Sequence, residues 1–162
     1  MKSEYLSWSQ LSALESNTYI GRYIHGDKFE NDGMRFGKKF AEAIEMEIET
    51  GDPLIDYGVL FLPRGQYHEY NIEVDGLLGY FDAFDEPHKI LEYKTGKTKW
   101  TEKKVKKGQA LFYALMVYKK FKVIPEVELH HLNNEMEINT IRVKFTKKEL
   151  QEMEKRVTRA LL

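Results

Sequence analysis

A carboxylate and an amine lie two residues apart in the stretch ILEYKTGK, which contains Glu92 and Lys94. In an extended strand, side chains two residues apart lie on the same face. A turn centred on Pro87 would place Asp82 opposite Glu92, with the two β-carbons about 4.5–5.5 Å apart. Asp82, Glu92 and Lys94 would then cluster on one face of a hairpin. The other face would be lined by Phe81, Ala83, Leu91 and Tyr93.

Two opposed carboxylates repel each other, so each resists ionisation unless a cation compensates the charge. A divalent metal ion would do so, and oxygen ligands without Cys or His are typical of Mg²⁺ or Mn²⁺ sites. The lysine would neutralise developing charge or help to polarise a water molecule. The alternatives are an edge hairpin with exposed polar residues, or a strand register that is shifted by one residue.

The composition is that of an ordinary globular protein, and we expect one domain over residues 1–162. The chain is 42% hydrophobic and 31% charged, and its Phe and Tyr residues supply apolar area for a core. No apolar run approaches the roughly 18 residues of a membrane span, and MKSEYLSWSQ lacks the apolar segment of a signal peptide. We therefore expect a cytoplasmic protein without membrane association. The absence of cysteine excludes disulfides, zinc thiolate sites and iron–sulfur clusters.

The net charge of −1 hides an acidic segment and a basic one. Residues 42–56 carry six acidic and no basic side chains, whereas residues 94–107 carry seven lysines and one glutamate. A cation site beside a phosphate-binding surface would produce this asymmetry. Two ordinary solvated faces would produce it as well.

Helices and strands with recognisable ends would position these residues. A capping box at Ser7 and Gln10 predicts a helix to about Tyr23, and a second helix is predicted from about Arg35 to Thr50, ended by Gly51-Asp52-Pro53. Strands are predicted at residues 67–74, 77–84 and 89–94, with Asp75-Gly76 as a hairpin turn.

The second half of the chain predicts a crossover. A long helix is expected from about Glu102 to Phe121, followed by strands at residues 123–132 and 137–145. A capping box at Thr146 and Glu149 starts a last helix, to Leu162. If the strands on either side of the long helix are parallel, the result is an α/β fold, a mixed sheet flanked by helices.

Three short motifs, at Asp82, at Glu92 with Lys94, and at Gln109 with Tyr113, resemble those of the PD-(D/E)XK nuclease superfamily, in particular its RecB-like and phage-type exonuclease branch. GYFDAF is similar to the branch's Gly-x-x-Asp strand, with Asp82 as the aspartate, and EYKTG to its (Asp/Glu)-x-Lys-Thr-Gly strand, with Glu92 and Lys94. QALFY is similar to its Gln-x-x-x-Tyr motif, with Gln109 and Tyr113. The motifs fall in order within about 35 residues, and the similarity extends from LSWSQLSALES to the last helix.

This resemblance implies a restriction-endonuclease-like core, α-βββ-α-β, with an added strand and a C-terminal helix. It implies Mg²⁺-dependent hydrolysis of DNA, with Mn²⁺ as a substitute and with Asp82, Glu92 and Lys94 as catalytic residues. Asp82, Glu92, the backbone carbonyl of Tyr93 and one helix glutamate would hold the metal. Branches with an iron–sulfur cluster need four cysteines, which this chain lacks.

The identity of the helix glutamate stays open. FGKKFAEAIE resembles the family's FGxxxHxxxE helix, but Ala41 replaces the histidine that often contacts the metal. Relatives similar to the λ-type exonucleases use a glutamate from this helix. Glu45 lies at the edge of the helix's apolar stripe and is favoured over Glu42, which projects nearly opposite the stripe. Glu69 is a third candidate, because the first hairpin turn places it opposite Asp82.

DNA is the expected partner. Gln109 and Tyr113 share one helix face and would orient the active site or contact a substrate phosphate. Lysines near the start of this helix would attract phosphates, and Trp100 would either stack on a base or pack in the core. The lysines are Lys97, Lys99, Lys103, Lys104, Lys106 and Lys107. His130 and His131 match no motif and are interpreted as ordinary strand residues.

The resemblance leaves two other functions open. One is an endonuclease on the same core, such as a junction resolvase or restriction-type enzyme. The other is an inactive nucleic-acid-binding or interaction module. A role in DNA recombination, repair or phage DNA processing would fit the branch. A homo-oligomer or an annealing partner protein would also fit, although no residue indicates a subunit interface.

Overall fold

The computed structural model describes residues 5–17 and 32–161 as a mixed sheet with helices packed on both faces. The predicted mixed α/β architecture is confirmed. In chain order the elements are β1 (Leu6–Ser7), α1 (Trp8–Glu15), α2 (Asp32–Met46), α3 (Pro53–Phe61), β2 (Tyr67–Val74), β3 (Leu77–Asp85), β4 (Lys89–Thr95), α4 (Glu102–Val105), α5 (Gln109–Phe121), β5 (Glu126–Leu132), β6 (Ile138–Lys144) and α6 (Lys147–Leu161).

Strand β3 pairs with β1, β2 and β4, and part of one of its edges has no partner strand. One of its edges pairs with the antiparallel strand β2 along residues 77–84. Its other edge is shared by β1, which pairs in parallel with Leu77 and Leu78, and by β4, which pairs antiparallel with residues 83–85. No described strand pairs with residues 79–82 on that edge. Strand β4 therefore pairs with β3 only at its start and continues paired with β5.

The predicted crossover is confirmed, because β4 and β5 pair in parallel over residues 89–95 and 126–132. Strand β6 closes this side of the sheet in an antiparallel ladder with β5. One apolar core, which includes Phe81 and Phe112, packs β3 against α1, α5 and α6. A second core, which includes Phe40 and Leu91, packs the opposite face against α2 and α3. The two cores therefore cover both faces of β3 and β4.

The two N-terminal helices end earlier than predicted. The capping box at Ser7 and Gln10 is present, but α1 stops at Glu15. Residues 18–23, at the end of the predicted helix, lie outside the described ranges. Helix α2 stops at Met46, where Glu47 takes a left-handed backbone conformation with φ 55°. The predicted end at Thr50 is therefore wrong.

The Gly51-Asp52-Pro53 segment starts a helix instead of ending one. The Asp52 carboxylate accepts hydrogen bonds from the N–H groups of Leu54 and Ile55, and Pro53 occupies the first helical position. Both features favour helix initiation. The resulting α3 was not predicted, and neither was the two-residue strand β1.

The long helix predicted from Glu102 to Phe121 is interrupted. The short α4 ends at Val105, and α5 begins at Gln109 after Gly108 as its N-cap. The break places Gln109 in the first turn of α5, where it faces the end of β4. At the C-terminus, the predicted capping box of Thr146 and Glu149 is present at the start of α6. None of the helices in the described ranges is long and apolar enough to cross a membrane.

Candidate active site

The three predicted catalytic residues lie where β3 and β4 separate. The predicted turn at Pro87 is right, because Phe84 pairs with Ile90. Pairing stops one residue before Asp82, whose carboxylate accepts a hydrogen bond from the Tyr93 N–H at 2.8 Å. The carboxyl groups of Asp82 and Glu92 also interact directly, because each shifts the pKa of the other. The two acids are thus in contact, although they are not a ladder pair.

The side-chain alternation of β3 changes phase at Asp82. Phe81 and Phe84 both pack in the core under α5, whereas Ala83 packs in the core under α2 and α3. The expectation that Phe81 and Ala83 share a face is therefore wrong. At the same level of β2, Glu69 has φ 50°, in the left-handed region that such a residue seldom adopts. Backbone strain of this kind clusters at functional sites.

Glu92 is buried with an unsatisfied oxygen. The residue is only 4% exposed, and its Oε1 has no hydrogen-bond partner among the described residues. Burial, followed by the charge of Asp82, raises the pKa of Glu92 well above its usual range. Burial also raises the pKa of Asp82, although the Tyr93 N–H and the Lys94 charge oppose that shift. Both pKa values are therefore raised in the absence of a further cation, and a metal ion between the carboxylates would lower them.

Lys94 is held by α5. Its Nζ donates a hydrogen bond to Gln109 Oε1 at 3.2 Å, and Gln109 Nε2 donates to the Tyr113 hydroxyl at 3.0 Å. Because an ammonium group only donates, the oxygen of the Gln109 amide must face Lys94. Tyr113 is buried, and this burial, together with the charges of Glu92 and Asp82, raises the pKa of its hydroxyl above its usual range. The tyrosine is therefore a neutral anchor for Gln109.

A cavity of about 310 Å³ adjoins the carboxylate pair and the lysine. Its lining includes Glu92, Lys94, Trp100 and Gln109. The Trp100 ring lies 5.4 Å from Lys94 Nζ, measured to the ring centroid, and the Trp100 indole N–H has no partner among the described residues. Two unsatisfied polar atoms thus belong to side chains around one cavity.

The fold does not place the expected third metal-binding carboxylate in contact with Asp82 and Glu92. Glu45 and Glu42 are exposed on α2, which packs on the sheet face opposite α5. The charge of Glu45 acts on Glu69, whereas the charge of Glu69 acts on Glu92. The hairpin register places Glu69 level with Asp82, as predicted, because the residues on either side of each are paired. In the described part of the chain, no three Asp, Glu or His side chains converge closely enough to hold a metal.

Tyr93 contributes through its backbone and its ring. Its N–H binds Asp82, and its hydroxyl donates to the Pro63 carbonyl at 2.6 Å. Burial raises the pKa of this hydroxyl above its usual range. Sequence reasoning assigned the Tyr93 carbonyl to the metal and missed the N–H, although a strand that separates from its partner must satisfy its free donors elsewhere.

Of the predicted DNA-binding lysines, Lys104 lines the cavity beside Glu92 and Lys94. Lys97 and Lys99 are exposed in the segment between β4 and α4, and Lys103 is exposed on α4. The two strand histidines are buried, and His131 Nε2 donates to the Gly96 carbonyl at 2.7 Å. This contact ties the segment after β4 to β5. The donor role follows from chemistry, since a carbonyl oxygen only accepts.

The fold is that of known exonuclease structures. The chain is similar to a candidate exonuclease from Eubacterium rectale, with 14% identity and a TM-score of 0.63 over 98% of this chain and 80% of that one. It is also similar to the alkaline exonuclease LHK-Exo from Laribacter hongkongensis, with 12% identity and a TM-score of 0.61 over 98% of this chain and 86% of that one. The complex of LHK-Exo with dAMP gives the same TM-score of 0.61, with 13% identity. No protein-family model and no curated protein matches the sequence significantly.

Proposed function

We propose that the protein is a metal-dependent DNA nuclease, and specifically an exonuclease of the RecB-like, phage-type branch. The observation that carries the proposal is the pair of half-buried Asp82 and buried Glu92, with an unsatisfied oxygen, beside a lysine that Gln109 holds in place. Such a pair raises its own pKa values and gains stability only when a cation joins it. The exonuclease fold supports the same conclusion.

The donor set fits Mg²⁺ or Mn²⁺. Asp82, Glu92 and the backbone carbonyl of Tyr93 offer hard oxygen ligands, and no cysteine competes for a softer metal. Glu69 is the carboxylate best placed to complete the set, because its charge already acts on Glu92. The metal would supply a water of lowered pKa and stabilise negative charge on the phosphate.

The protein's own residues would orient the reaction. Lys94 carries a cation next to the carboxylate pair and would stabilise charge on the phosphate or position the attacking water. Gln109 fixes the Nζ position through one hydrogen bond and is itself fixed by Tyr113. The roles of Gln109 and Tyr113 are therefore those of positioning residues.

DNA is the proposed substrate, with a place in recombination, repair or phage DNA processing. The solved complex of LHK-Exo with the deoxynucleotide dAMP supports this substrate class. Lys97, Lys99 and Lys103 would attract the phosphate backbone. Assembly into a homo-oligomer, or with an annealing partner protein, would suit an enzyme that stays on one DNA end.

Cleavage assays on two DNA forms test the proposal. The purified protein should degrade end-labelled linear DNA in Mg²⁺ and leave covalently closed circular DNA intact. Cleavage of the circular form would establish the endonuclease alternative instead. Asp82→Ala and Lys94→Ala should abolish cleavage while their circular dichroism spectra match that of the wild type. Full activity in either folded variant would refute the site.

A nucleic-acid-binding module without hydrolysis is the second candidate. It is favoured by one observation, namely that the described residues do not bring a third carboxylate onto Asp82 and Glu92. Binding of DNA without cleavage in either Mg²⁺ or Mn²⁺ would establish it.

A further inference from the structure

A polar groove of about 830 Å³ lies beside the candidate active site. One wall is the segment of residues 96–101, between β4 and α4, and the other is the turn between β5 and β6, at residues 133–137, with the first half of β6. We propose that this groove binds a single strand of DNA and guides it to Lys94. The inference rests on the proposed function, since it names the form of the nucleic acid that the same site would take.

Both walls of the groove are fixed before any ligand binds. His131 is 8% exposed, and its bond to the Gly96 carbonyl holds the first wall to β5. Gly96 has φ 96°, a conformation that favours glycine, and so turns the chain sharply after β4. In the second wall, the Asn133 side chain accepts hydrogen bonds from the N–H groups of Glu135 and Glu137 at 2.9 and 3.0 Å. A preformed groove loses little conformational entropy on binding.

The exposed side chains of the groove suit a nucleic acid. Lys97 and Lys99 are exposed, and neither ammonium group forms an ion pair with a described residue. Asn134 and Asn139 are exposed and offer amide donors and acceptors to base edges. Among the described lining residues the lysines face a single acidic side chain, Glu135. A nucleic-acid-binding surface usually combines cations, which contact the phosphates, with amide groups, which contact the base edges.

Trp100 connects the groove to the reaction site. It lines both the groove and the cavity that holds Glu92 and Lys94. Trp100 is half-buried against the core, and its ring is 5.4 Å from Lys94 Nζ, so a base stacked on the exposed part of this ring would lie near the lysine. Aromatic side chains bind single strands by stacking on successive bases. In a duplex the base faces are already stacked on each other, so the groove favours a single strand.

Binding measured without hydrolysis tests the proposal. In an Asp82→Asn background, the affinity for a fluorescent oligothymidylate is measured by anisotropy over a range of salt concentrations. We expect Trp100→Ala to weaken binding about 5- to 100-fold, the loss of one base–aromatic stack. The double variant of Lys97→Ala and Lys99→Ala should lower the slope of log affinity against log salt by about 0.7 per lysine.

The control replaces Lys147 and Lys148 by alanine, which removes the same charge from exposed positions at the start of α6. Neither lysine lines the groove, and the last β6 residue that does so is Ile141. The control variant should bind like the Asp82→Asn parent. Equal loss in the control, or wild-type affinity in both groove variants, would overturn the proposal.

Fluorescence adds a direct readout of stacking. The chain has two tryptophans, so a Trp8→Phe variant emits from Trp100 alone. Saturating oligothymidylate should quench this emission, whereas a duplex of equal length should quench it less. Unquenched emission at saturation, or equal quenching by the duplex, would contradict a single-strand groove. If the groove variants lose binding but the wild type never cleaves DNA, the proposed function fails and the groove stands.

Discussion

Replacement of Glu92 by glutamine should stabilise the metal-free protein and abolish its nuclease activity. Glu92 is buried beside Asp82, and its Oε1 has no partner among the described residues. An uncompensated buried polar group costs about 1–3 kcal/mol, and the neutral amide removes the charge while keeping the shape. One kcal/mol shifts the Tm of a domain of this size by about 2–4 °C. We therefore expect Glu92→Gln to raise the Tm in EDTA by about 2–10 °C.

The raised pKa of Glu92 also determines how the free energy of unfolding should depend on pH. Burial and the charge of Asp82 raise the folded-state pKa of Glu92 well above its usual value of about 4.5, so the folded protein binds more protons than the unfolded chain between the two pKa values. The stability of the wild type in EDTA should therefore fall as pH rises from about 4.5 through the folded-state pKa. Glu92→Gln should lose most of this slope. Mg²⁺ should stabilise the wild type at pH 8 and leave the variant unchanged.

Differential scanning calorimetry at several pH values, in EDTA and in Mg²⁺, measures these effects. The matched control is Glu152→Gln, because Glu152 is exposed on α6 and pairs only with Lys155 among the described residues. This control should change the Tm by less than about 1–2 °C. A Glu92→Gln protein that melts at or below the wild-type temperature in EDTA, with an unchanged pH slope, would refute the reasoning.

Three further substitutions test other parts of the site and the fold. Gln109→Ala should lower kcat about 10- to 100-fold in a cleavage assay, because Lys94 loses the hydrogen bond that positions it. Glu69→Gln should raise the Mg²⁺ concentration for half-maximal activity about 10-fold. Gly58→Ala should lower the Tm by about 2–10 °C in calorimetry, since the added methyl group would lie 2.6 Å from Phe40 Cε2 in a packed core.

Two of these substitutions have a matched control within the chain. Glu45→Gln removes an exposed carboxylate from α2 and should leave the Mg²⁺ requirement unchanged if Glu69 is the third ligand. The reverse result would assign the ligand to Glu45. Gly37→Ala adds a methyl group that meets nothing within 4 Å on α2, so its Tm should stay equal or rise. For Gln109, a variant with normal kcat would show that Lys94 needs no support from α5.

The hairpins could be predicted from the sequence because their turns have strong local signals. Asp75-Gly76 and the turn at Pro87 set the registers that bring Phe84 opposite Ile90 and Tyr70 opposite Phe81. The phase change at Asp82 could not be predicted. It depends on β4 leaving β3 to pair with β5, which is a tertiary effect that no local pattern encodes.

The helix boundaries were harder to predict, for two physical reasons. Gly51-Asp52-Pro53 is compatible with the end of one helix and with the start of another, and only the Asp52 cap of α3 distinguishes them. Residues 102–121 read as one helix because lysines are good helix formers, yet Gly108 separates α4 from α5. The contact between Gln109 and Lys94 depends on that break.

The central claim is that Asp82 and Glu92 together hold a divalent metal ion. An anomalous difference map from a crystal soaked in Mn²⁺ tests it most directly. We predict a peak between the two carboxylates in the wild type and its loss in Asp82→Asn. A map without a peak at this pair, from a crystal that binds Mn²⁺ elsewhere or not at all, would contradict the account.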